Sequence, residues 1–283
     1  MKTPNSLSLI LRRLVAHPSI VIGGGLVLAV ALVALLAQWI APYDPLASNF
    51  RLKLQPPSAE HWFGTDHFGR DVLSRVIHGG QLSLQIGLLV VLMTGIFGTL
   101  VGGTAGYFRK LDGPIMRTMD AMMAFPAILL ALTVSATLGA SVTNVVIALS
   151  IATTPHTARI VRSSVLVVRE MQYVEAARAL GAGDWRILWF HVLANSLAPL
   201  IVRLTFVFAS AILAEAVLSY IGVGPPPPAP SFGNIIANGR DFMVEAPWVT
   251  IFPGLTIVVC VLGLNMLGDG LRDFLDPRIK VGP

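Results

Sequence analysis

Glu175 heads the segment Glu175-Ala176-Ala177-Arg178-Ala179-Leu180-Gly181, with Asp184, Trp185 and Arg186 close behind. Nothing in this spacing makes or breaks a covalent bond. A carboxylate leading a helix of small, basic and apolar residues offers charge pairing and apolar contact, the chemistry of docking. Ala176, Ala177, Arg178, Ala179 and Leu180 favour helix, and Gly181 can end or bend it. Asp184 can then cap a second short helix running through Trp185 to His191. The pattern predicts a compact helix-turn-helix with Leu180, Trp185, Ile187 and Leu188 as its apolar contacts. On composition alone, a loop resting on lipid headgroups fits equally well.

The other chemically capable residues are scattered. Glu215 lies in a long apolar run, roughly 9 Å from its midpoint at about 1.5 Å per residue. An ionisable group at such depth is expensive and suggests a role. Glu215 can line an aqueous path or close a gate with a cation such as Arg240; reaching the headgroups is the plainer alternative. Asp120 and Asp269 read as anchors near helix ends, Asn144 as a helix cap, and His156 as a hydrogen-bonded packing residue. The six histidines (His17, His61, His67, His78, His156 and His191) have no metal-site spacing. The single cysteine, Cys260, permits neither an internal disulfide nor a cysteine-based metal site. No Gly-x-x-x-x-Gly-Lys-Ser/Thr loop is present, which excludes ATP binding by that mechanism, and His-Glu-x-x-His and Gly-x-Ser-x-Gly are absent too.

These residues are set in a membrane protein. The 283 residues are 54% hydrophobic and 12% charged, against about 25% charged in a soluble domain. Six segments approach the roughly 20 residues needed to cross a bilayer. They are 20–40, 82–108, 121–138, 145–165, 197–221 and 249–267. The fourth is interrupted by Pro155, His156, Arg159 and Arg162, so its inner end is expected to project into water. The first is too long for a signal-peptide core and reads as an uncleaved anchor.

The net charge of +5 reflects cations flanking apolar runs. That placement argues for membrane orientation and against nucleic-acid binding. With the N-terminus inside, the inner segments hold fourteen cations. These are Lys2, Arg12, Arg13, Arg109, Lys110, Arg117, Arg159, Arg162, Arg169, Arg178, Arg186, Arg272, Arg278 and Lys280. The outer segments hold Arg51, Lys53, Arg70, Arg75 and Arg240. The bias predicts both termini in the cytoplasm, and Arg203 is left inside the fifth span.

The expected organisation is a cytoplasmic segment 1–19, a transmembrane domain 20–278 and a cytoplasmic tail 279–283. In the outer loop 42–80, Asp71 to His78 is expected to form a separate interfacial helix. The inner loop 166–195 carries the Glu175 motif. A second outer loop, 223–247, opens with the stiff run Pro225 to Pro228. Gly98, Gly102 and Gly106 make a small-xxx-small ladder for close helix packing.

The Glu-Ala-Ala, three residues, Gly spacing of Glu175 to Gly181, with Leu193 beyond it, resembles the coupling loop of ATP-binding-cassette (ABC) importer permeases. His191 and Ala194 stand where that pattern has Ile and Pro. Trp62-Phe63-Gly64-Thr65-Asp66 and Gly69 to Arg75 resemble the first outer loop of dipeptide, oligopeptide and nickel permeases. The same holds for Gly106-Tyr107, Asp112, Met116-Arg117, Asp120 and Ala124-Phe125-Pro126. Ala214-Glu215-Ala216, Leu218-Ser219-Tyr220, Pro230 to Gly233, Gly268 to Asp273 and Asp276-Pro277-Arg278 fit too. Gln81 replaces an expected Arg. The resemblance covers residues 60–278 and is specific for the C-type permease of peptide importers.

It implies an all-α polytopic bundle of six transmembrane helices with the ABC type I importer permease fold, in the bacterial plasma membrane. It also implies a second homologous permease, two ABC ATPase subunits carrying ATP and magnesium, and an extracytoplasmic solute-binding protein. The chain itself is expected to bind no cofactor and to catalyse nothing. Peptides are the expected cargo, with nickel, haem precursors or glutathione as alternatives. A stand-alone secondary transporter would instead show paired broken helices or a repeat. An intramembrane enzyme would show an acid/base or metal constellation at membrane depth.

Overall fold

A computed structural model describes residues 17–275. Most of the expected N-terminal segment, with Lys2, Arg12 and Arg13, lies outside the described residues, as do Arg278, Lys280 and the tail 279–283.

Among the described residues, nine helices of eight residues or more carry the chain. These are α1 (Pro18–Leu35), α2 (Val72–Tyr107), α3 (Arg109–Met123), α4 (Ala127–Leu138), α5 (Val142–Val168), α6 (Gln172–Ala179), α7 (Leu197–Ile221), α8 (Phe232–Gly239) and α9 (Trp248–Leu275). The only isolated β contact among them is an antiparallel bridge between Thr65 and Asp71.

Four stretches are long and apolar enough to cross a membrane: α1, α2, the run Asp184–Ile221 that ends in α7, and α9. Their outward residues are apolar, such as Leu28, Leu92, Ile96, Val258 and Leu262, as a hydrocarbon solvent requires.

Two of the six expected spans differ from expectation. The segment 121–138 is not one helix: α3 and α4 meet at 88° across Ala124–Pro126. Pro126 supplies no N–H and disfavours helix at Phe125, so the turn falls there. Together the pair would make a fifth crossing. The segment 145–165 lies within α5, which is long enough to span but too polar to count among the apolar helices. Pro155 lies inside it without ending it. Its cations pair with acids of α3: Arg162 Nη2 donates to Asp112 Oδ2 at 2.6 Å, and Arg159 meets Asp120 in a half-exposed pair.

Asp71 to His78 is not a separate helix either. It forms the first two turns of α2, with Asp71 as the cap accepting from Ser74 N at 2.7 Å. Gly79 and Gly80 do not break the helix; they let α8 press against it, and a Cβ on Gly79 would lie 3.2 Å from Ile235 Cδ1.

Three buried clusters follow one another along the bundle. One joins α2, α7, α8 and α9 through Val72, Ile212, Phe232, Ile235 and Val249. The next joins α2, α4, α5 and α7 through Ile86, Val90, Leu149 and Val207. The last surrounds Val161, Val165, Val174, Ile187 and Val192.

The loop before α2 is ordered by buried charge. Asp66 Oδ2 accepts from Arg70 Nε at 2.7 Å and lies 3.6 Å from Arg75 Nε, while His61 Nδ1 meets Asp71 Oδ1 at 2.9 Å. Trp248 Nε1 donates to the Thr65 carbonyl at 3.1 Å and ties this loop to α9.

Candidate functional site

The Glu175 segment folds into an elbow standing off the end of α5. α6 runs only to Ala179, because Gly181 takes φ +80, a left-handed conformation that suits glycine. Gly181 N donates to Arg178 O at 3.0 Å and Ala182 N to Ala177 O at 3.1 Å. This paired pattern satisfies the last carbonyls of the helix. A second turn, Asp184–Arg186, passes into a π-helical turn Ile187–Leu193 and on to α7.

Each arm of the elbow has two sides. Val174, Ile187, Leu188 and Val192 are buried against Tyr107, Val161, Val165 and Leu200. On the other side Glu175, Ala176, Arg178, Ala179 and Arg186 are exposed and Ala177 is half-buried. Leu180 is 89% exposed and Trp185 60%. The sequence groups Leu180, Trp185, Ile187 and Leu188 as contacts for a partner. The structure separates them: Ile187 and Leu188 fill the elbow's own core, leaving Leu180 and Trp185 bare. Asp184 is also reassigned. The cap of its turn is Gly183, and Asp184 Oδ1 instead accepts from Tyr107 Oη at 2.8 Å.

That contact shows how the elbow is fixed to the bundle. Tyr107 ends α2, and the ring of the next residue, Phe108, lies 5.7 Å from Trp185. Arg169 Nη1 donates to the Gly106 carbonyl at 2.6 Å. Tyr107, Phe108 and Arg169 are therefore positioning residues, a role that the sequence did not assign them. Tyr107 and Asp184 stand 77 positions apart, and no local pattern links them.

Gly98, Gly102 and Gly106 face α5. A Cβ would meet Thr157 Cγ2 at 2.7 Å from Gly98 and Val165 Cγ1 at 2.7 Å from Gly106, and one on Gly102 would run into the Ala158 carbonyl. Any larger residue forces the helices apart, so the ladder fixes the distance from α2 to the helix that carries the elbow.

Glu215 and Arg240 are not brought together. Glu215 is fully buried, its Oε1 accepting from Ser219 and Ser231 hydroxyls at 2.7 and 2.8 Å and its Oε2 from Ser83 at 3.1 Å. Ser83 Oγ in turn accepts from Phe232 N at 3.1 Å. The carboxyl group thus knots α7 to α2 and α8 through neutral donors. Arg240 lies outside the knot, its Nε 3.2 Å from Asp241 and its guanidinium over the Tyr220 ring. In this structure Glu215 is a buried fastening and Arg240 a surface cation, so the two do not pair. Among the described residues, no group of three His, Cys, Asp or Glu side chains is placed to hold a metal ion.

Comparison with known proteins settles the lineage of this arrangement. Residues 95–281 match the family model of the binding-protein-dependent transport system inner membrane component. The chain belongs to this family. Residues 6–57 match the N-terminal transmembrane domain of oligopeptide transport permease C. A putative peptide transport system permease protein of Brucella abortus biovar 1 is 54% identical over 270 residues, covering 95% of this chain and 91% of the relative. The dipeptide transport system permease protein DppC of Alkalihalophilus pseudofirmus is 45% identical over 92% of this chain and 86% of its own. The glutathione transport system permease protein GsiD of Pectobacterium atrosepticum is 42% identical over 95% and 90%. Among solved structures, a chain of the MetNI methionine ABC transporter in an inward-facing conformation superposes with TM-score 0.60 at 18% identity. It covers 72% of this chain and 97% of that one. The fold is that of an ABC importer permease, and this chain is a membrane-embedded transport component.

Proposed function

We propose that this chain is one of two permease subunits of an ATP-driven importer whose cargo is peptides of dipeptide or oligopeptide size. The observation that carries the reading is the elbow: a rigid, bundle-anchored turn that leaves Leu180 and Trp185 bare beside Glu175. Exposed apolar residues ringed by charge mark a protein-binding surface. The relatives named for peptide transport support the cargo.

Two ATPase subunits, carrying ATP and magnesium, dock at the elbows of the paired permeases, and a solute-binding protein delivers cargo on the other side. ATP hydrolysis belongs to those partners. Closure of the ATPase dimer moves α6, and the connection through Tyr107, Asp184 and Arg169 passes the movement to α2. Coupling requires the ATPases to bind the two elbow positions with different affinity. Both termini and the elbow lie on the cytoplasmic side, a reading supported by the cation bias of the inner segments.

Glu175→Arg tests the docking site. The expected result is loss of both ATPase co-purification and peptide uptake; unchanged values for both exclude this surface. Glutathione is a second cargo to assay, because one relative carries that name.

A further inference from the structure

Between α4, α5 and α7 lies a cavity of about 440 Å³ that no part of the elbow or the Glu215 knot uses. Its wall is apolar at Ile128, Leu149 and Phe206 and polar at His156, Arg203 and Ser210. Arg203, Phe206 and Ser210 follow one another at helical spacing along one face of α7. Arg203 stands six residues into that apolar helix, about 9 Å from its start.

A guanidinium at that depth needs a partner or water. The neighbouring cations of α5 have partners: Arg159 meets Asp120 and Arg162 meets Asp112. Arg203 has no such carboxylate among the described residues, and its Nε is buried with no hydrogen-bond partner. Its side chain lines the cavity. His156 is exposed on the same opening. Charged and polar groups grouped at membrane depth cannot face lipid, so this opening belongs to a path for something polar.

The volume suits a small molecule, within the roughly 300–1,000 Å³ of ordinary ligand sites. The unmatched guanidinium selects an anion, and its planar fork fits a carboxylate. We infer that Arg203, assisted by His156, binds the terminal carboxylate of a peptide as it passes through this chain. The inference rests on the reading of the chain as a peptide permease and gives that reading a site. Recognition falls on a group every linear peptide carries, while the apolar wall at Leu149 and Phe206 accepts varied side chains.

The test uses the complete importer, with both permeases, ATPases and binding protein, in proteoliposomes. The probe is a dipeptide bearing a diazirine on its N-terminal side chain, supplied with ATP. Light is expected to label this chain within α5 or α7. Arg203→Gln should lower both labelling and uptake at least ~10-fold, the effect of losing a charge-assisted hydrogen bond, and Arg203→Lys should recover part of the loss. Ser210→Phe, which fills the cavity and keeps the cation, should lower labelling as well.

Wild-type labelling and uptake in Arg203→Gln would overturn the inference. So would loss of the partner permease from purified Arg203→Gln complex, because the missing anion would then be a carboxylate of that subunit. A defect seen with anionic phosphatidylglycerol but absent in pure phosphatidylcholine would assign the site to a lipid phosphate instead. Failure of the wild-type chain to co-purify with any ATPase strikes the permease reading itself, and is seen before any peptide is added.

Discussion

The Glu215 knot and the elbow handle charge in opposite ways. Glu215 is buried at the level of Phe232, and all three of its hydroxyl partners come from this chain. Glu175 is exposed, and at the elbow the apolar side chains Leu180 and Trp185 are bare as well. One region completes its polar contacts internally; the other leaves both charge and apolar surface unmatched. A carboxylate in the first place holds a fold, and a carboxylate in the second is available to a partner. The immediate sequence does not separate the two cases, because each residue precedes an alanine.

The contrast breaks first at the knot. Glu215→Ala leaves three buried hydroxyls without an acceptor and opens a void, so stability should fall by about 3 kcal/mol. The check is the melting midpoint of the purified chain in detergent. Glu215→Gln should cost about half as much, as one acceptor oxygen remains. A Glu215→Ala chain as stable as wild type would mean that the knot does not hold α7, α2 and α8 together.

At the elbow the loss should appear in function alone. Leu180→Glu should reduce ATP-dependent uptake by about 100-fold, near 2.7 kcal/mol, as expected for one residue at the centre of an interface. Its melting midpoint should not move, since Leu180 touches no core. A shifted midpoint would make Leu180 structural and remove the contrast.

Tyr107→Phe sharpens the comparison, because Tyr107 links the elbow to the bundle. Losing the hydrogen bond to Asp184 should cost about 1 kcal/mol of stability. If the elbow transmits movement through this bond, uptake per ATP hydrolysed should fall more than ATP hydrolysis does.

The smallest effect is one of pH. Burial pushes the His67 imidazole below the ordinary histidine value, against the opposing pull of Asp66. The unfolded chain therefore takes up the proton more readily. Stability from this group is complete above about pH 6.5, the unfolded value, and drains away as the pH falls below it. Hydrogen exchange in the loop 61–72 should speed up below that pH in wild type, and His67→Phe should flatten the dependence.

Much of the fold was legible because a bilayer leaves few alternatives. Spans were read from length and apolarity at 197–221 and 249–267, and α7 and α9 include them. Reading failed where tertiary contact overrides local pattern. Asp71 to His78 suggests a helix of its own, yet α8 packs at Gly79 and Gly80 and the helix continues to Tyr107. Arg159 and Arg162 interrupt an apolar run, and no local pattern shows that Asp120 and Asp112 of α3 pair with them.

The sequence by itself determined the helical, membrane-embedded character of the chain and the short break at Gly181. Those follow from apolar run length and from one residue with a special backbone. Only the tertiary structure decided which charges are matched. It buried Glu215 among serines, gave Asp184 to Tyr107, paired two arginines of α5 and left Arg203 facing a cavity. The physical reason is that the need for a partner is a property of one residue, whereas its satisfaction depends on which distant helix arrives beside it.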